Sequence, residues 1–407
     1  MQPKAVRFVA AVGALSVGIL LCVVPTGCVG ARDAIKGDRS AIDWAQVLVV
    51  YSIDGTHFYD MRTWKPIRDP EFLINGWGFS EGLCAARARG EPAGKVGFID
   101  AAGRTVIPFR FDKACGFHDG RATVQIAGKK GIIDRSGRWV VEPGKYKNLG
   151  LYHEGLCAYL TDFEGEYWGF LDPSGEPVGW PAFQRARIVL PIYFQEGRCL
   201  IKTRLGDLGY IDRKTRVRIR LANPEWQAWS FSDGLARVNM SVDTRTQAEK
   251  DIPGLYDAPL LPQFGFIDRE GRVVIEPRFT SAGDFTEGLA PVSLTDEALL
   301  HPGGEYMPDE GQTESERRWG FINKRGELVI PMIYERVGQF HDGLAPFRKA
   351  GKWGYLNRKG EVVVPSRFEE AEEFKNGLAL VVVDGKIAFI NTSGKIVLKT
   401  GLRYEPF

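Results

Sequence analysis

The stretch "GKWGYLNRKGEVVVP", residues 351–365, decides the fold. Two glycines flank a tryptophan, a lysine-rich turn follows, and a run of valines ends at a proline. A glycine-rich loop with a lysine can cradle phosphate, but such a loop occurs once, between a strand and a helix. This stretch instead recurs, for example as "FGFIDREGRVVIEP" at 264–277 and "WGFINKRGELVIP" at 319–331. It is therefore a structural repeat.

A second signature precedes each copy, as in "FSDGLAR" at 231–237, "FTEGLAP" at 285–291 and "FHDGLAP" at 340–346. The aromatic residues that open this signature recur every 34–42 positions, apart from two longer gaps. Eight units are recognisable, and residues 47–60 look like half of another. A period of this length is typical of stacked repeat architectures.

Each unit predicts three short strands. The "GLA" segment forms one strand, and the "WG" segment forms the next. An Asp or Asn followed three residues later by Gly, as in Asp268 and Gly271, predicts the hairpin turn into a returning strand. The glycine of the pair, such as Gly354, is expected where a neighbouring backbone or aromatic ring must come close. We expect Trp319 and Trp353 to be core residues.

The sequence therefore predicts an all-β chain of tandem repeats. One unit of three short strands cannot bury its own apolar face, so neighbouring units must stack. A closed, propeller-like array and an open β-solenoid both achieve this, and we favour the propeller because eight units fall within its usual range of roughly 4–8 blades. The N-terminal half unit and the last unit are expected either to complete one blade together or to act as two caps.

The repeats resemble those of the WG-repeat proteins, a bacterial family named for the tryptophan-glycine pair. The resemblance covers roughly residues 77–398 and implies a β-rich repeat architecture without a common catalytic activity. Several units depart from the pair: Val96, Lys130, Leu208, Phe264 and Ile387 replace the Trp, and Ala388 replaces the Gly.

The N-terminus predicts export. Residues 1–27 have the positive start and apolar core of a signal peptide, and "TGC" ends in Cys28. This box resembles the cleavage site of bacterial lipoproteins, although Pro25 departs from it. We expect a lipid on Cys28, a tether over 28–42, and one repeat domain over 43–407. The protein would be membrane-anchored in the cell envelope, facing the periplasm or the exterior. A plain secreted protein and an uncleaved anchor remain the alternatives.

Composition indicates a folded globular protein, with 44% hydrophobic residues and 48 glycines for tight turns. A formal net charge of +2 gives no electrostatic case for nucleic acid as a partner.

Acidic residues and histidines recur in the second signature, and a role in the turn explains both. They stand in register before its glycine, so we predict neither catalytic residues nor a metal site or cofactor. The acidic residues are Glu81, Asp119, Glu154, Glu196, Asp233, Glu287 and Asp342, and the histidines are His118, His153 and His341.

Three cysteines, Cys84, Cys157 and Cys199, stand where other units have alanine, so we expect small buried core residues. A Cys157–Cys199 disulfide is compatible with a solenoid, in which equivalent positions stack about 4.8 Å apart. In a propeller these positions are too distant.

Two insertions, 241–263 and 295–317, fall between the first and second predicted strands of successive units and should emerge on one edge. Loops inserted on one face of a repeat scaffold often carry binding. The candidate binding residues there are Tyr256, Asp257, His301, Tyr306, Asp309 and Glu310. A second candidate is a patch for an anionic ligand formed by Arg216, Arg218 and Arg220 on one strand face. A solvated face explains that patch equally simply.

These features favour a binding scaffold that presents a loop edge to a protein or polysaccharide partner. The alternative is an exported hydrolase that uses carboxylates of the inserted loops, because residues distant in sequence can converge. The sequence contains no G-x-S-x-G, H-E-x-x-H or P-loop motif.

Overall fold

The computed structural model is all-β across the part of the chain it describes. Its 33 strands form nine antiparallel sheets, each built from one continuous segment of sequence. The described residues are 47–52, 55–67, 72–88, 94–161, 167–179, 183–184, 193–202, 208–221, 226–242, 261–294 and 318–404. We call the sheets blades 1 to 9 in chain order.

The first three blades lie between residues 47 and 141. Blade 1 contains β1 (Val47–Ser52), β2 (Gly55–Asp60) and β3 (Lys65–Pro66). Blade 2 contains β4 (Phe72–Ser80), β5 (Leu83–Ala88), β6 (Val96–Ile99) and β7 (Thr105–Phe111). Blade 3 contains β8 (Lys113–Ala114), β9 (Arg121–Ile126), β10 (Lys129–Asp134) and β11 (Trp139–Val141).

The middle blades follow the same order. Blade 4 contains β12 (Asn148–His153), β13 (Leu156–Leu160), β14 (Tyr167–Leu171) and β15 (Phe183–Gln184). Blade 5 contains β16 (Cys199–Lys202), β17 (Leu208–Ile211) and β18 (Val217–Arg220). Blade 6 contains β19 (Gln227–Ser232), β20 (Leu235–Val242), β21 (Leu261–Ile267) and β22 (Val273–Phe279).

The last three blades lie between residues 281 and 403. Blade 7 contains β23 (Ser281–Ala282), β24 (Leu289–Leu294), β25 (Arg318–Asn323) and β26 (Leu328–Tyr334). Blade 8 contains β27 (Arg336–Val337), β28 (Leu344–Lys349), β29 (Lys352–Asn357) and β30 (Val362–Phe368). Blade 9 contains β31 (Leu378–Val383), β32 (Lys386–Asn391) and β33 (Ile396–Arg403).

Six blades have four strands, whereas the sequence predicted three per unit. The three predicted strands are the second, third and fourth of each blade. The extra first strand is only two residues long in β8, β23 and β27, whereas β12 and β19 have six residues and β4 has nine. Among the described residues, blades 1, 5 and 9 have three strands each, and in blade 9 the first strand is reduced to a bridge between Ala371 and Val381.

The hairpin between third and fourth strands has the predicted turn chemistry. In blade 6 the Gly271 N–H donates to the Asp268 carbonyl at 2.9 Å, and the Asp268 carboxylate accepts the Glu270 N–H at 3.0 Å. Gly271 has φ +85°, a conformation that glycine adopts without steric cost. The Asx-to-Gly spacing therefore encodes this turn, as expected.

The glycine of the tryptophan-glycine pair is required by a close approach of backbone. A Cβ on Gly265 would lie 2.6 Å from the Ile275 carbonyl oxygen and 2.8 Å from the Pro277 nitrogen. In blade 4 the obstacle is aromatic, because a Cβ on Gly169 would lie 2.6 Å from the Tyr159 ring. Both obstacles were predicted, and any larger residue would push the fourth strand or the ring away.

The blades close into a ring, so the protein is a nine-bladed β-propeller and not a solenoid. Nine apolar clusters fill the interfaces, and each cluster combines buried residues of two consecutive blades. One of them joins Leu380 and Phe389 of blade 9 to Leu48 and Tyr59 of blade 1. Blades 1 and 9 are thus separate sheets that pack face to face, and their described strands neither share a blade nor act as caps.

Pairs of aromatic rings recur at the interfaces. The aromatic residue after "WG" packs on the aromatic residue that opens the next signature, with ring centroids 4.8–5.0 Å apart. The pairs are Phe98–Phe117, Phe170–Phe194, Tyr210–Phe231, Phe266–Phe285, Phe321–Phe340 and Tyr355–Phe374. Each of these rings is at most 2% exposed, so they form the centre of the core.

The tryptophans are less central than predicted. Trp319 and Trp353 are only partly buried, whereas Phe321 and Tyr355, two residues later on the same strand face, are 0% exposed. Each tryptophan lies near the start of its third strand, where it packs at the margin of an interface. The prediction of core tryptophans is therefore met only in part: Trp353 packs against a core cluster, and both side chains are partly buried.

A candidate binding face

The propeller has two different faces, because successive hairpins of an antiparallel sheet alternate between its ends. The turns joining first to second and third to fourth strands lie at one end, which we call the turn face. The connections between second and third strands, and between blades, lie at the other end. Both insertions belong to this end, which we call the insertion face.

The turn face explains the acidic residues of the second signature. In "FTEGL" the Thr286 and Leu289 backbones exchange hydrogen bonds of 2.9 and 3.1 Å across a two-residue turn. Glu287 and Gly288 both have positive φ, at 50° and 86°, as a type I′ turn requires. The predicted turn role is confirmed, although a glutamate at positive φ is strained.

The carboxylates compensate this strain by bonding to the next blade. Each accepts a hydrogen bond from the signature glycine N–H of the following blade, at 2.6–3.0 Å. Seven such links, which we call the carboxylate chain, connect blades 2 to 9. The pairs are Glu81–Gly120, Asp119–Gly155, Glu154–Gly197, Glu196–Gly234, Asp233–Gly288, Glu287–Gly343 and Asp342–Gly377.

Basic residues in the turns between third and fourth strands form ion pairs with the carboxylate chain. Arg269 contacts the Glu196 carboxylate at 2.7 Å, and Lys324 contacts Asp233 at 2.7 Å. Around them is an open cleft of about 410 Å³ lined by Glu196, Asp233, Gly234, Asp268, Arg269, Glu270 and Lys324. Because its carboxylates already pair with glycine N–H groups and cations, this cleft is part of the scaffold.

The signature histidines also bridge neighbouring blades. The His118 and His153 rings stack with centroids 5.4 Å apart, and His153 lies 4.8 Å from the Tyr193 ring. Burial, and then the neighbouring His118, lower the pKa of His153. His341 contacts the Glu373 carboxylate at 3.4 Å, and this hydrogen bond raises the pKa of His341. No group of three or more metal-ligating side chains occurs among the described residues.

The cysteines are core residues, as predicted. Cys84, Cys157 and Cys199 are at most 1% exposed, and Cys157 and Cys199 are free thiols. Burial raises the pKa of Cys157 and of Cys199 to about 12. A thiol so reluctant to ionise is a poor nucleophile and a poor metal ligand. Cys157 and Cys199 form no disulfide, in agreement with the propeller.

The strand ends that bound the two insertions lie on the insertion face of adjacent blades. One connects β20 to β21 in blade 6, and the other connects β24 to β25 in blade 7. These strand pairs are equivalent, and their blades share an apolar cluster. The predicted residues Tyr256, Asp257, His301, Tyr306, Asp309 and Glu310 lie outside the described residues.

The arginine strand of blade 5 is less uniform than its sequence indicated. Arg216 and Arg218 both contact the Asp212 carboxylate, at 2.8 and 2.7 Å. Burial alone would raise the pKa of Asp212, but hydrogen bonds from these arginines lower it well below its usual range. Arg220 is exposed. A bulge next to Tyr210 also leaves Val217 37% exposed, although the alternation predicted it to face inward.

One feature of blade 6 was missed. Arg237 stands where other units have Pro, Leu, Thr or Ala, and that departure was the available signal. Its guanidinium lies 4.1 Å from the Trp229 ring centroid and 3.4 Å from the Asp284 carboxylate of blade 7. Burial lowers the pKa of Arg237 and raises the pKa of Asp284. The pair joins blade 6 to blade 7 near the turn face.

The segment with the predicted signal peptide and Cys28 lies outside the described residues. Within the described part of the chain, no helix is long and apolar enough to span a membrane.

A family model described as "WG containing repeat" matches residues 97–129, 131–162, 264–296, 319–353 and 353–386. The chain therefore carries five WG repeats, as the resemblance implied. No curated protein matches the sequence.

Among solved structures, a eukaryotic initiation factor has a TM-score of 0.51 and 11% identity, over 88% of this chain and 96% of that chain. At this identity the likeness supports the propeller fold alone. The computationally designed Ika8 protein has a TM-score of 0.38 and 10% identity, over 80% and 98% of the two chains. BamB from Moraxella catarrhalis has a TM-score of 0.37 and 10% identity, over 71% and 87%.

Proposed function

We propose that this WG-repeat propeller is an exported binding scaffold, anchored through a lipid on Cys28, whose insertion face binds a protein or polysaccharide of the cell envelope. The observation that carries the proposal is the position of the two insertions. They replace equivalent short hairpins in adjacent blades 6 and 7. Residues that discriminate a partner must come from what differs between repeats, and these segments differ most.

The strand order of blade 1 supports an orientation in which the insertion face points away from the membrane. In blade 1, Ser52 pairs with Gly55 and Val47 pairs with Asp60. The Asp60 carboxylate accepts the Arg62 N–H at 2.8 Å, as in the other turns after third strands. β1 and β2 thus correspond to second and third strands, and Val47 lies at the turn-face end. An anchor at Cys28 would join the propeller on that side, with the insertion face directed away from the membrane.

A binding role also fits the chemistry of the described polar groups. The carboxylates of the turn face are paired, and the buried cysteines are held as neutral thiols. The alternative, an exported hydrolase, would need the loop carboxylates Asp257, Asp309 and Glu310. A scaffold should show no turnover in a general hydrolase panel.

Shortening both insertions tests the proposal. Residues 243–260 and 295–317 are each replaced by an Ala-Gly hairpin with the sequence of Ala127–Gly128 in blade 3, and the variant is screened beside the full chain against envelope polysaccharides and proteins. Binding should fall at least tenfold, about 1.4 kcal/mol, with an unchanged unfolding midpoint. Equal binding by both proteins would reject the insertion face as the site.

Lipidation is tested separately. A fatty-acid analogue should label the wild-type protein and not Cys28→Ala. Equal labelling of the two would remove the anchor from the proposal, and protein found entirely in the cytoplasm would remove export.

A further inference from the structure

The interface between blades 6 and 7 contains a group of polar side chains. Val238 and Met240 of β20 pack toward blade 5, so the alternate residues Arg237 and Asn239 face blade 7. The Arg237 guanidinium lies 3.4 Å from the Asp284 carboxylate of blade 7. These side chains come from two blades and meet only in the folded ring.

Two aromatic rings of blade 6 complete the group. The Arg237 guanidinium lies 4.1 Å from the Trp229 ring centroid and 5.7 Å from that of Phe264. Phe264 pairs with Asn239 across the ladder between β20 and β21. We call these five residues the interface cluster: Trp229, Arg237, Asn239, Phe264 and Asp284.

The next interface, between blades 7 and 8, holds different residues at the equivalent positions. In the places of the tryptophan, arginine, asparagine and aspartate stand Gly283, Pro291, Ser293 and Gln339. The first two are in close contact, because a Cβ on Gly283 would lie 2.6 Å from the Pro291 side chain. The repeat therefore packs without the interface cluster, and the next interface offers matched residues for comparison.

Three buried atoms of the interface cluster have no hydrogen-bond partner. They are Arg237 Nε, Asn239 Oδ1 and Asp284 Oδ1, out of eight such side-chain atoms in the described part of the chain. Arg237 Nε and Asp284 Oδ1 face each other at 3.4 Å but are not aligned for a hydrogen bond. An unpaired buried polar atom has lost its hydrogen bonds to water without compensation. Three in one place call for a partner that supplies the missing bonds.

Solvent reaches the interface cluster at its margin. The Asp284 side chain is 34% exposed, and the Arg237 side chain is 16% exposed. Trp229 and Phe264 are partly exposed, and their ring centroids lie 5.7 Å apart with an interplanar angle of 43°. A ligand can therefore enter beside the rings, next to the unpaired atoms, while the two blades stay together.

The chemistry of the interface cluster favours an uncharged sugar. The charges of Arg237 and Asp284 oppose each other, so neither an anion nor a cation is preferred. One donor and two acceptors are unpaired, and a hydroxyl group can both donate and accept. The rings add apolar area against which the C–H groups of a sugar can pack. A flat base is less suited, because the Arg237 guanidinium already covers the Trp229 ring and Phe264 is tilted away from it.

We infer that the interface cluster binds one unit of an uncharged oligosaccharide. Hydroxyl groups of this sugar donate to the Asn239 and Asp284 oxygens and accept from Arg237 Nε. Its C–H groups pack on the aromatic rings. The site is built by described strands of blades 6 and 7, uses no residue of the insertions, and does not depend on the lipid at Cys28. It therefore stands apart from the insertion-face proposal.

Calorimetric titration of the full chain with four uncharged hexasaccharides tests the inference. The probes are maltohexaose, cellohexaose, mannohexaose and chitohexaose, and at least one should bind. The transplant variant carries the residues of the next interface: Trp229→Gly, Arg237→Pro, Asn239→Ser and Asp284→Gln. It should bind at least tenfold more weakly. It should also keep a cooperative unfolding transition, since blades 7 and 8 pack with these residues.

A single substitution, Asn239→Ala, gives a milder test. The amide oxygen makes no hydrogen bond within the protein, so this variant should keep the unfolding midpoint of the wild type. Its affinity for the hexasaccharide should nevertheless fall at least threefold. The matched control at the next interface, Ser293→Ala with Gln339→Ala, should change affinity less than twofold.

Several outcomes would overturn the inference. They are failure of all four hexasaccharides to bind, unchanged affinity in the transplant variant or in Asn239→Ala, and tighter binding of adenosine than of any hexasaccharide. The protein with both insertions shortened should bind the hexasaccharide as the full chain does. Loss of binding there would place the sugar on the insertion face instead, so failure of the two proposals is distinguishable.

Discussion

The two faces of the propeller use the same repeat in opposite ways. On the turn face the units obey one pattern, and the carboxylate chain repeats one bond across seven successive interfaces. On the insertion face corresponding connections range from the two-residue hairpin Ala127–Gly128 to the insertion 295–317. Identical chemistry holds the blades together at one end, and this leaves the other end free to vary. Stability and recognition are thereby separated in space.

The largest expected effect is on the free energy of unfolding. It is tested with two aromatic residues of blade 8, one at the turn-face end of an interface and one at the insertion-face end. Phe340, at the turn-face end, is 0% exposed and packs 4.8 Å from Phe321. Phe340→Ala should lower the free energy of unfolding by about 3–5 kcal/mol through cavity formation. Trp353→Ala, at the insertion-face end, should cost clearly less because that ring is partly exposed. Urea unfolding measures both, and a larger loss for Trp353→Ala would reverse the comparison.

A smaller effect is expected from cutting one link of the carboxylate chain. Asp233 accepts the Gly288 N–H at 2.6 Å and contacts Lys324. Asp233→Ala leaves that N–H unpaired and should cost about 1–3 kcal/mol. Asp233→Asn should cost less, since Asn376 occupies this place in blade 9 with φ 53°. The matched change on the other face, Lys349→Ala, should stay within about 0.5 kcal/mol. Equal losses at Asp233 and Lys349 would contradict the separation of roles.

The two histidine contacts predict opposite dependences on pH. The pKa of His153 is lowered in the folded protein, so its contribution to stability decreases as pH falls through the unfolded value of about 6.5. The pKa of His341 is raised, so its contribution is complete at low pH and is lost as pH rises through the folded value.

Unfolding midpoints at about pH 5 and pH 8 give the measurement. His153→Gln should lessen the loss of stability on acidification, and His341→Gln should increase it. Shifts of the same sign in both variants would refute the assignment.

The smallest expected effect on stability comes from the arginines of blade 5, and it should differ between Arg216 and Arg220. Arg216→Gln removes a partly exposed ion pair with Asp212 and should cost about 0–1 kcal/mol. Arg220→Gln should leave the unfolding midpoint unchanged. If this strand binds anions, Arg220→Gln should weaken that binding more than Arg216→Gln, because Asp212 already occupies the Arg216 guanidinium. The reverse order would show that the ion pair opens on binding.

Structural features that depend on residues close together in the sequence could be predicted from the sequence. Turns such as Asp268–Gly271 and the close approach at Gly265 follow from local geometry, and repetition of the unit was enough to predict a stacked all-β array. The lipid on Cys28 and the residues of the two insertions stay predictions. Their segments lie outside the described residues.

Features that depend on contacts between blades were harder to predict. The acidic turn residues were recognised, but their partner, a glycine N–H one blade away, is set by the propeller. The tryptophans were predicted to be more buried than they are. Periodicity shows on which face of a strand a side chain lies, but not how close the residue is to the end of the strand.

Closure of the ring without a shared strand has a consequence for biosynthesis. Leu48 and Tyr59 of blade 1 are covered by Leu380 and Phe389 of blade 9, the last of the nine blades to be synthesised. No link of the carboxylate chain joins blade 1 to its neighbours among the described residues. Until blade 9 has been synthesised, the growing chain therefore exposes the apolar surface of blade 1. A nascent propeller of this design needs protection from aggregation until blade 9 is made.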